Sequence, residues 1–277
     1  MGKLYFEVNG GIGNQLFQIS AAYAFAKKYN AEIVFDTRGC DSGNNFHSSW
    51  QLHELVEILK GEIKCKMRRS NTSFHIFKRK FSDFIFKKLY IEKNSIEQIY
   101  NNGISANLNY FFPVTESRYL VSEALEFGFN GSIEKLKDKI GREKLYVPKN
   151  SKDLGIHLRR NDRKNTNIEI PDSWFLDQIE GSKIPIEQIV CFTDSKKDAE
   201  FLKETRIPTK ILGEEIEPLI ALLSLSEFNK IYTSNSTFSF WAGTLGIDKK
   251  ITSPLDKNHP LRPLNDYNFE KVIRQVI

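Results

Sequence analysis

Short apolar runs alternate with helical stretches along most of the chain. "KLYFEV" (3–8) and "AEIVFD" (31–36) are rich in β-branched and aromatic residues and read as strands, and residues 14–29 between them repeat apolar side chains at helical spacing. The second half is cleaner. There "DLGIHLRR" (153–160), "QIVCFTD" (188–194), "TKILG" (209–213), "KIYTSN" (230–235) and "KKITSP" (249–254) predict strands. Helices are expected near 172–178, 195–205, 215–225 and 239–245. "LYIEK" (89–93) and "NYFFPV" (109–114) read as further strands of the first half. Repeated strand–helix units predict an α/β protein with parallel sheets and helices on both faces. "YVPKNSKD" (146–153) is the candidate linker, so two Rossmann-like domains are expected, 1–148 and 149–277, facing a central cleft, with the last helix free to pack back on the first domain.

Composition narrows the class. Of 277 residues, 40% are hydrophobic and 27% charged, as in ordinary globular proteins. No apolar run approaches the length of a membrane span, and the first residues enter a strand without a basic and then apolar leader. Three scattered cysteines, Cys40, Cys65 and Cys191, suggest neither a disulfide framework nor a zinc site. A cytoplasmic protein is expected. The net charge of +5 is uneven: residues 60–93 hold eleven Lys/Arg against three Asp/Glu, which leaves the remainder slightly acidic. With basic character confined to one segment, no nucleic-acid partner is expected. Within that segment Phe74, Phe77, Phe81 and Phe84 recur on one helical face among Lys78, Arg79, Lys80, Lys87 and Lys88. Such a stretch either turns its phenylalanines to the core or lies peripherally on an anionic membrane, here through residues 74–88.

The chemistry gathers at strand ends. "GGIGNQLFQI" (10–19) is a glycine-rich turn between strand and helix, a layout that favours an anion at the helix N-terminus. "GIHLRRNDRK" (155–164) carries His157, Arg159, Arg160, Asp162 and Arg163 where a strand should end. Alternation puts His157 and Arg159 on one face and Arg160 on the other. A guanidinium grips phosphate oxygens in bidentate fashion, so Arg159 or Arg160 suits a pyrophosphate, and Asp162 could hold either in place. "TSNSTFSFWAG" (233–243) offers Ser234, Asn235, Ser236 and Thr237 to cap a helix and present free amides to an anion. Phe238, Phe240 and Trp241 read as core packing. Asp194 ends a strand, where it could accept from a ribose or base or cap the next helix. Glu169 and Asp172 lie within loop reach of the arginines.

"GGIGNQLFQ", "HLRRND" and "SNSTFSFWAG", in this order, resemble the motifs of the glycosyltransferase family 11 alpha-1,2-fucosyltransferases. "HLRRND" also resembles the His-x-Arg-x-x-Asp motif of alpha-1,6- and protein O-fucosyltransferases. The resemblance implies a GT-B fold, no cofactor beyond the donor substrate GDP-fucose, and metal-independent inverting transfer of L-fucose to an oligosaccharide or glycolipid acceptor. By that resemblance Arg159 holds the β-phosphate, His157 and Asp162 contact or brace the nucleotide, and Asp194 falls near guanine or ribose. Ser236, Thr237 and Phe238 line the diphosphate, Gly11 and Gly13 let backbone approach the donor, and Asn14 faces the fucose and acceptor. Set beside these motifs, Asn14 and Gln15 would supply hydrogen bonds to the donor that a plain phosphate loop lacks. Glu169 is the nearest candidate base. The chain contains no Asp-x-Asp metal motif. Two rivals remain. Asp36, at the end of the second strand, would suit an NAD-type oxidoreductase, but Leu16 replaces the third glycine of that fingerprint. A non-enzymatic lectin or nucleotide-binding module would not need an arginine pair aimed at a diphosphate.

Overall fold

A computed structural model describes residues 3–37, 40, 49–68, 121–164, 166, 169–234, 236–245 and 250–252. The aromatic basic stretch 74–88 and the strands expected at 89–93 and 109–114 lie outside the described residues, as do Asn235 and the chain beyond 252. The protein is a mixed α/β chain with parallel sheets, and it divides into two compact units, Met1–Ser132 and Ile133–Ile277.

In the first unit, β1 (Lys3–Glu7) leads through α1 (Ile12–Tyr29) to β2 (Glu32–Asp36), and α2 (His53–Leu59) leads to β3 (Cys65–Arg68). The three strands are parallel in the order β1-β2-β3. One face of β2, Ile33 and Phe35, is fully buried, and α1 buries Leu16, Phe17, Ile19 and Tyr23. Two further helices, α3 (Val121–Glu126) and α4 (Phe129–Ile140), follow. The Tyr23 hydroxyl lies 2.9 Å from both Glu62 Oε2 and the Phe127 carbonyl, and Ser132 Oγ donates to the same Glu62 oxygen at 3.0 Å. Burial and the Glu62 carboxylate push the Tyr23 phenol well above its ordinary value.

The second unit holds β4 (Asp153–Leu158), α5 (Asp172–Glu180), β5 (Gln188–Thr193), a 3₁₀ helix (Lys197–Thr205), β6 (Thr209–Leu212), α6 (Pro218–Leu225), β7 (Lys230–Thr233), α7 (Thr237–Thr244) and β8 (Lys250–Thr252). All five strands are parallel, in the order β6-β5-β4-β7-β8. The chain therefore starts in the middle of the sheet, grows outward to β6, and returns to the other side of β4 with β7. Leu154, Ile156 and Leu158 face a core shared with Phe175, Ile179, Ala199 and Leu202. On the opposite face Val190, Phe192 and Ile231 meet Leu225, Phe228 and Ala242. Gly155 sits on that second face because nothing larger fits: a Cβ there would lie 2.8 Å from Leu225 Cδ1 and 2.9 Å from Phe228 Cγ.

The stretch expected as a linker belongs to the second unit. Leu145 is buried, the Tyr146 ring stacks on Phe228 at 6.1 Å, and the Tyr146 amide donates to Ser224 Oγ at 2.8 Å. Buried Lys137 on α4 pairs with Glu227 at 2.6 Å, so the boundary between units falls earlier than residue 148. No described helix is long and apolar enough to cross a membrane.

Candidate functional site

In a doubly wound sheet, ligands bind outside the carboxyl ends of the strands where the strand order reverses. Here that point lies between β4 and β7, and the loops leaving those two strands are "RRND" and "SNS".

His157, the last but one residue of β4, is buried against α7. Its ring stacks on Phe238 at 4.5 Å and its Nδ1 lies 2.6 Å from Ser239 Oγ. The Ser239 hydroxyl donates to the Ser234 carbonyl at 2.7 Å, an oxygen that can only accept. Its single proton is thereby committed, so we assign the imidazole proton to Nδ1 and leave Nε2 as an acceptor. Burial, and then the charge of Arg159, push the His157 imidazole down to about 3. The ring is neutral at physiological pH. Because the unfolded ring titrates near 6.5, the unfolded state binds more protons between about 6.5 and about 3, and stability falls as pH drops through that window. Between pH 6.5 and 5, the wild type should lose about 1 kcal/mol of stability per pH unit more than His157→Gln. Chemical denaturation at several pH values checks this, and parallel curves for the two proteins would refute it.

Arg159 is half-buried and the less buried arginine of the pair. Its Nε and Nη2 donate to the two oxygens of Asp162 at 2.8 and 2.5 Å, a bidentate fork within one short turn. The fork leaves both Nη1 hydrogens and one on Nη2 without a partner among the described residues. Burial alone would raise the Asp162 carboxyl, but the Arg159 fork and the charge of Arg163 outweigh it and hold the group ionised. Arg163 leans on the same carboxylate from 3.8 Å, too far for a hydrogen bond, and its buried Nε–H has no partner. Two guanidinium groups thus share one carboxylate, which leaves the turn net positive.

Arg160 points the other way and is 2% exposed. Its guanidinium donates to the Ile170 carbonyl, to Asp172, and to Glu169 at 3.2 Å, and it lies over the Phe201 ring. Of the two, Arg159 keeps donors without a partner among the described residues, while Arg160 ties the loop to the end of β4. Glu169 and Asp172 are engaged by Arg160, on the face opposite His157. Asp172 is the first residue of α5, with Pro171 as its N-cap.

Asp194 leaves β5 and turns to the same loop. Its Oδ1 accepts from the Arg160 amide at 2.7 Å and its Oδ2 from the Asn161 amide at 3.3 Å, while Asn161 Nδ2 donates to the Asp194 carbonyl at 2.7 Å. It makes no helix cap; Ser195 is held instead by Thr193 and Asp198.

On the β7 side, Ser234 Oγ accepts from the Arg159 amide at 3.2 Å. Ser236 is the N-cap of α7, its Oγ accepting from the Ser239 amide at 3.1 Å. Thr237 and Phe238 open the helix, so no carbonyl of the helix serves their amides. Phe240 and Trp241 are core residues, as expected, and half-buried Phe238 packs against the core on the α7 face as well as stacking on His157. His157, Ser236 and Phe238 therefore come together at the ends of β4 and β7, the Arg159–Asp162 pair sits on the turn that follows His157, and Thr237 is the first residue of α7. Sequence reasoning passed over Ser239, although its place three residues after Ser236 is the spacing of an N-cap partner.

The glycine-rich turn of the first unit is built differently from expectation. Gly10 takes the left-handed conformation (φ 75°), and a Cβ there would lie 2.7 Å from Asn14 Nδ2. Gly11 is the extended N-cap of α1, with no side-chain cap, and Gly13 is buried in its first turn. Gln15, read as a ligand-facing donor, is fully buried: its Nε2 donates to the carbonyls of Gly10 and Ser49, both at 2.8 Å, and its Oε1 accepts from the Gln51 amide. Gln18 clasps Asn9 through backbone and side chain. The two glutamines shape the turn, which leaves half-buried Asn14 as its available polar side chain.

The fold and site thus define an α/β protein with an arginine-bearing turn at the switch point of a doubly wound sheet. No family model matches the sequence, and no curated protein matches it. Among solved structures, the chain is similar to NodZ alpha-1,6-fucosyltransferase co-crystallized with GDP (12% identity, TM-score 0.47), over 89% of this chain and 93% of that one. It is also similar to POFUT1 in complex with GDP-fucose (12% identity, TM-score 0.46), over 91% and 96%. A third is fucosyltransferase NodZ from Bradyrhizobium (12% identity, TM-score 0.44), over 89% and 94%. Likeness at this level assigns no residue a role.

Proposed function

We propose that the protein is a GDP-fucose-dependent fucosyltransferase of GT-B type, inverting at the anomeric carbon and forming an alpha-1,2 linkage to a galactoside hydroxyl. The observation that carries this reading is Arg159, held by Asp162 with donors to spare, on a turn at the switch point whose backbone is tied to Ser234, two residues before the N-cap of α7. The motif resemblance supplies the sugar and the linkage.

The chemistry follows. The bond between the fucose anomeric carbon and the β-phosphate oxygen breaks, and its electron pair stays on the diphosphate. Arg159 and the amides of Thr237 and Phe238 would meet that growing charge with donors already in place. This requires no metal. Neutral His157 accepts a hydrogen bond at Nε2 without adding charge, and Asn14 is assigned to the sugar and acceptor. Glu169, engaged by Arg160, is poorly placed as a base. The acceptor proton therefore passes to the leaving phosphate.

The test is binding first, then transfer. GDP should raise the thermal midpoint and NAD should not; stabilisation by NAD alone would replace this reading with the oxidoreductase one. A GDP-fucose assay against terminal galactosides, with the product linkage determined, should then give an alpha-1,2 product. An alpha-1,6 or protein O-linked product would keep the class and change the linkage.

A further inference from the structure

The turn carrying Arg159 is fixed from both sides through its backbone. The amides of Arg159, Arg160 and Asn161 are consecutive, and each finds a side-chain oxygen from a flanking strand end. Ser234 after β7 takes the first, and the two oxygens of Asp194 after β5 take the second and third. The Asn161 side chain closes the loop back onto the Asp194 carbonyl. Because both carboxylate oxygens serve backbone donors, the residue is built to hold a turn.

We propose that Asp194 is a positioning residue for Arg159: it acts on the ligand through the turn and does not touch the nucleoside. The inference rests on the reading of Arg159 as the diphosphate ligand, and it departs from the guanine or ribose contact that the motif resemblance suggested. The isosteric change Asp194→Asn is informative. Whichever way the new amide turns, its NH₂ must face one of the two backbone N–H groups, donor against donor.

Calorimetric titration of GDP and of inorganic pyrophosphate, with amide hydrogen exchange at Arg160 and Asn161, tests the proposal. In Asp194→Asn both affinities should fall by the same factor, roughly tenfold, as for the loss of a charge-assisted hydrogen bond. Exchange at the two amides should rise by at least a similar factor. Loss of GDP affinity with pyrophosphate binding and exchange unchanged would place Asp194 on the nucleoside and overturn the proposal. So would unchanged values throughout. If Asp194→Asn does not fold, exposed Asn161→Ala loosens the same clamp from the other side and should shift both affinities in parallel, by less. Should the wild type bind pyrophosphate but not GDP, the fucosyl reading fails, while pyrophosphate and exchange still decide the role of Asp194.

Discussion

Arg159→Ala is expected to lower fucosyl transfer by about a hundredfold to a thousandfold, chiefly in kcat, with little change in thermal midpoint. Removing one preorganised donor to a charge that develops only in the transition state costs roughly that much. The side chain is 26% exposed and touches Asp162, itself 41% exposed, so its loss opens no core and strands no buried charge. Arg159→Lys should recover little, because an ammonium cannot span both Asp162 oxygens and still aim a planar pair of donors at a phosphate. A variant that keeps near-wild-type turnover would remove Arg159 from this role. Asp162→Asn should share the kcat loss in milder form, because it frees the guanidinium without deleting it.

The neighbouring residue should behave in the opposite way. Arg160→Ala is expected to destabilise the second unit by about 3 kcal/mol, the low end for breaking a buried ion pair. For a unit of this size that lowers the thermal midpoint by roughly 10 °C. The lower figure is apt because Asp172 is 53% exposed and can recover water, whereas the Ile170 carbonyl and the space over Phe201 cannot be repaired. Any activity loss should follow unfolding, so below the midpoint the variant should turn over faster than Arg159→Ala. A midpoint unchanged within error would contradict the anchoring role.

These two arginines also show how far the sequence could be read. Strand alternation put His157 and Arg159 on one face and Arg160 on the other, and the two faces of β4 are those of α7 and α5 respectively. Alternation says which way a side chain leaves, but not who waits for it. That Arg160 meets Ile170 and Asp172 depends on how the loop folds back, a contact with no local signature. β4, β5 and β7 of the second unit were legible because each is a largely buried apolar run bounded by polar turns. β3 was not, since "CKMR" alternates over only four residues, lacks β-branched and aromatic side chains, and is embedded in a basic stretch. The helices before β4 were missed within a stretch lacking any motif. Gln15 was misread for a related reason: a buried glutamine and a ligand-facing one look alike until the carbonyls of Gly10 and Ser49 are seen beside it.

The sheet order also bears on when the site comes into being. β4 is made first and ends at the centre, and the two walls of the site, Arg159 and Ser234, are 75 residues apart in the chain. At synthesis rates of about 5–20 residues per second, the guanidinium emerges roughly 4 to 15 seconds before its partner strand. Until β7 pairs with β4, the growing unit is a half-sheet with one edge of β4 open. If Arg159 holds a diphosphate as proposed, that affinity appears only after β7 has closed this edge, and ligand binding by nascent chains would time the closing.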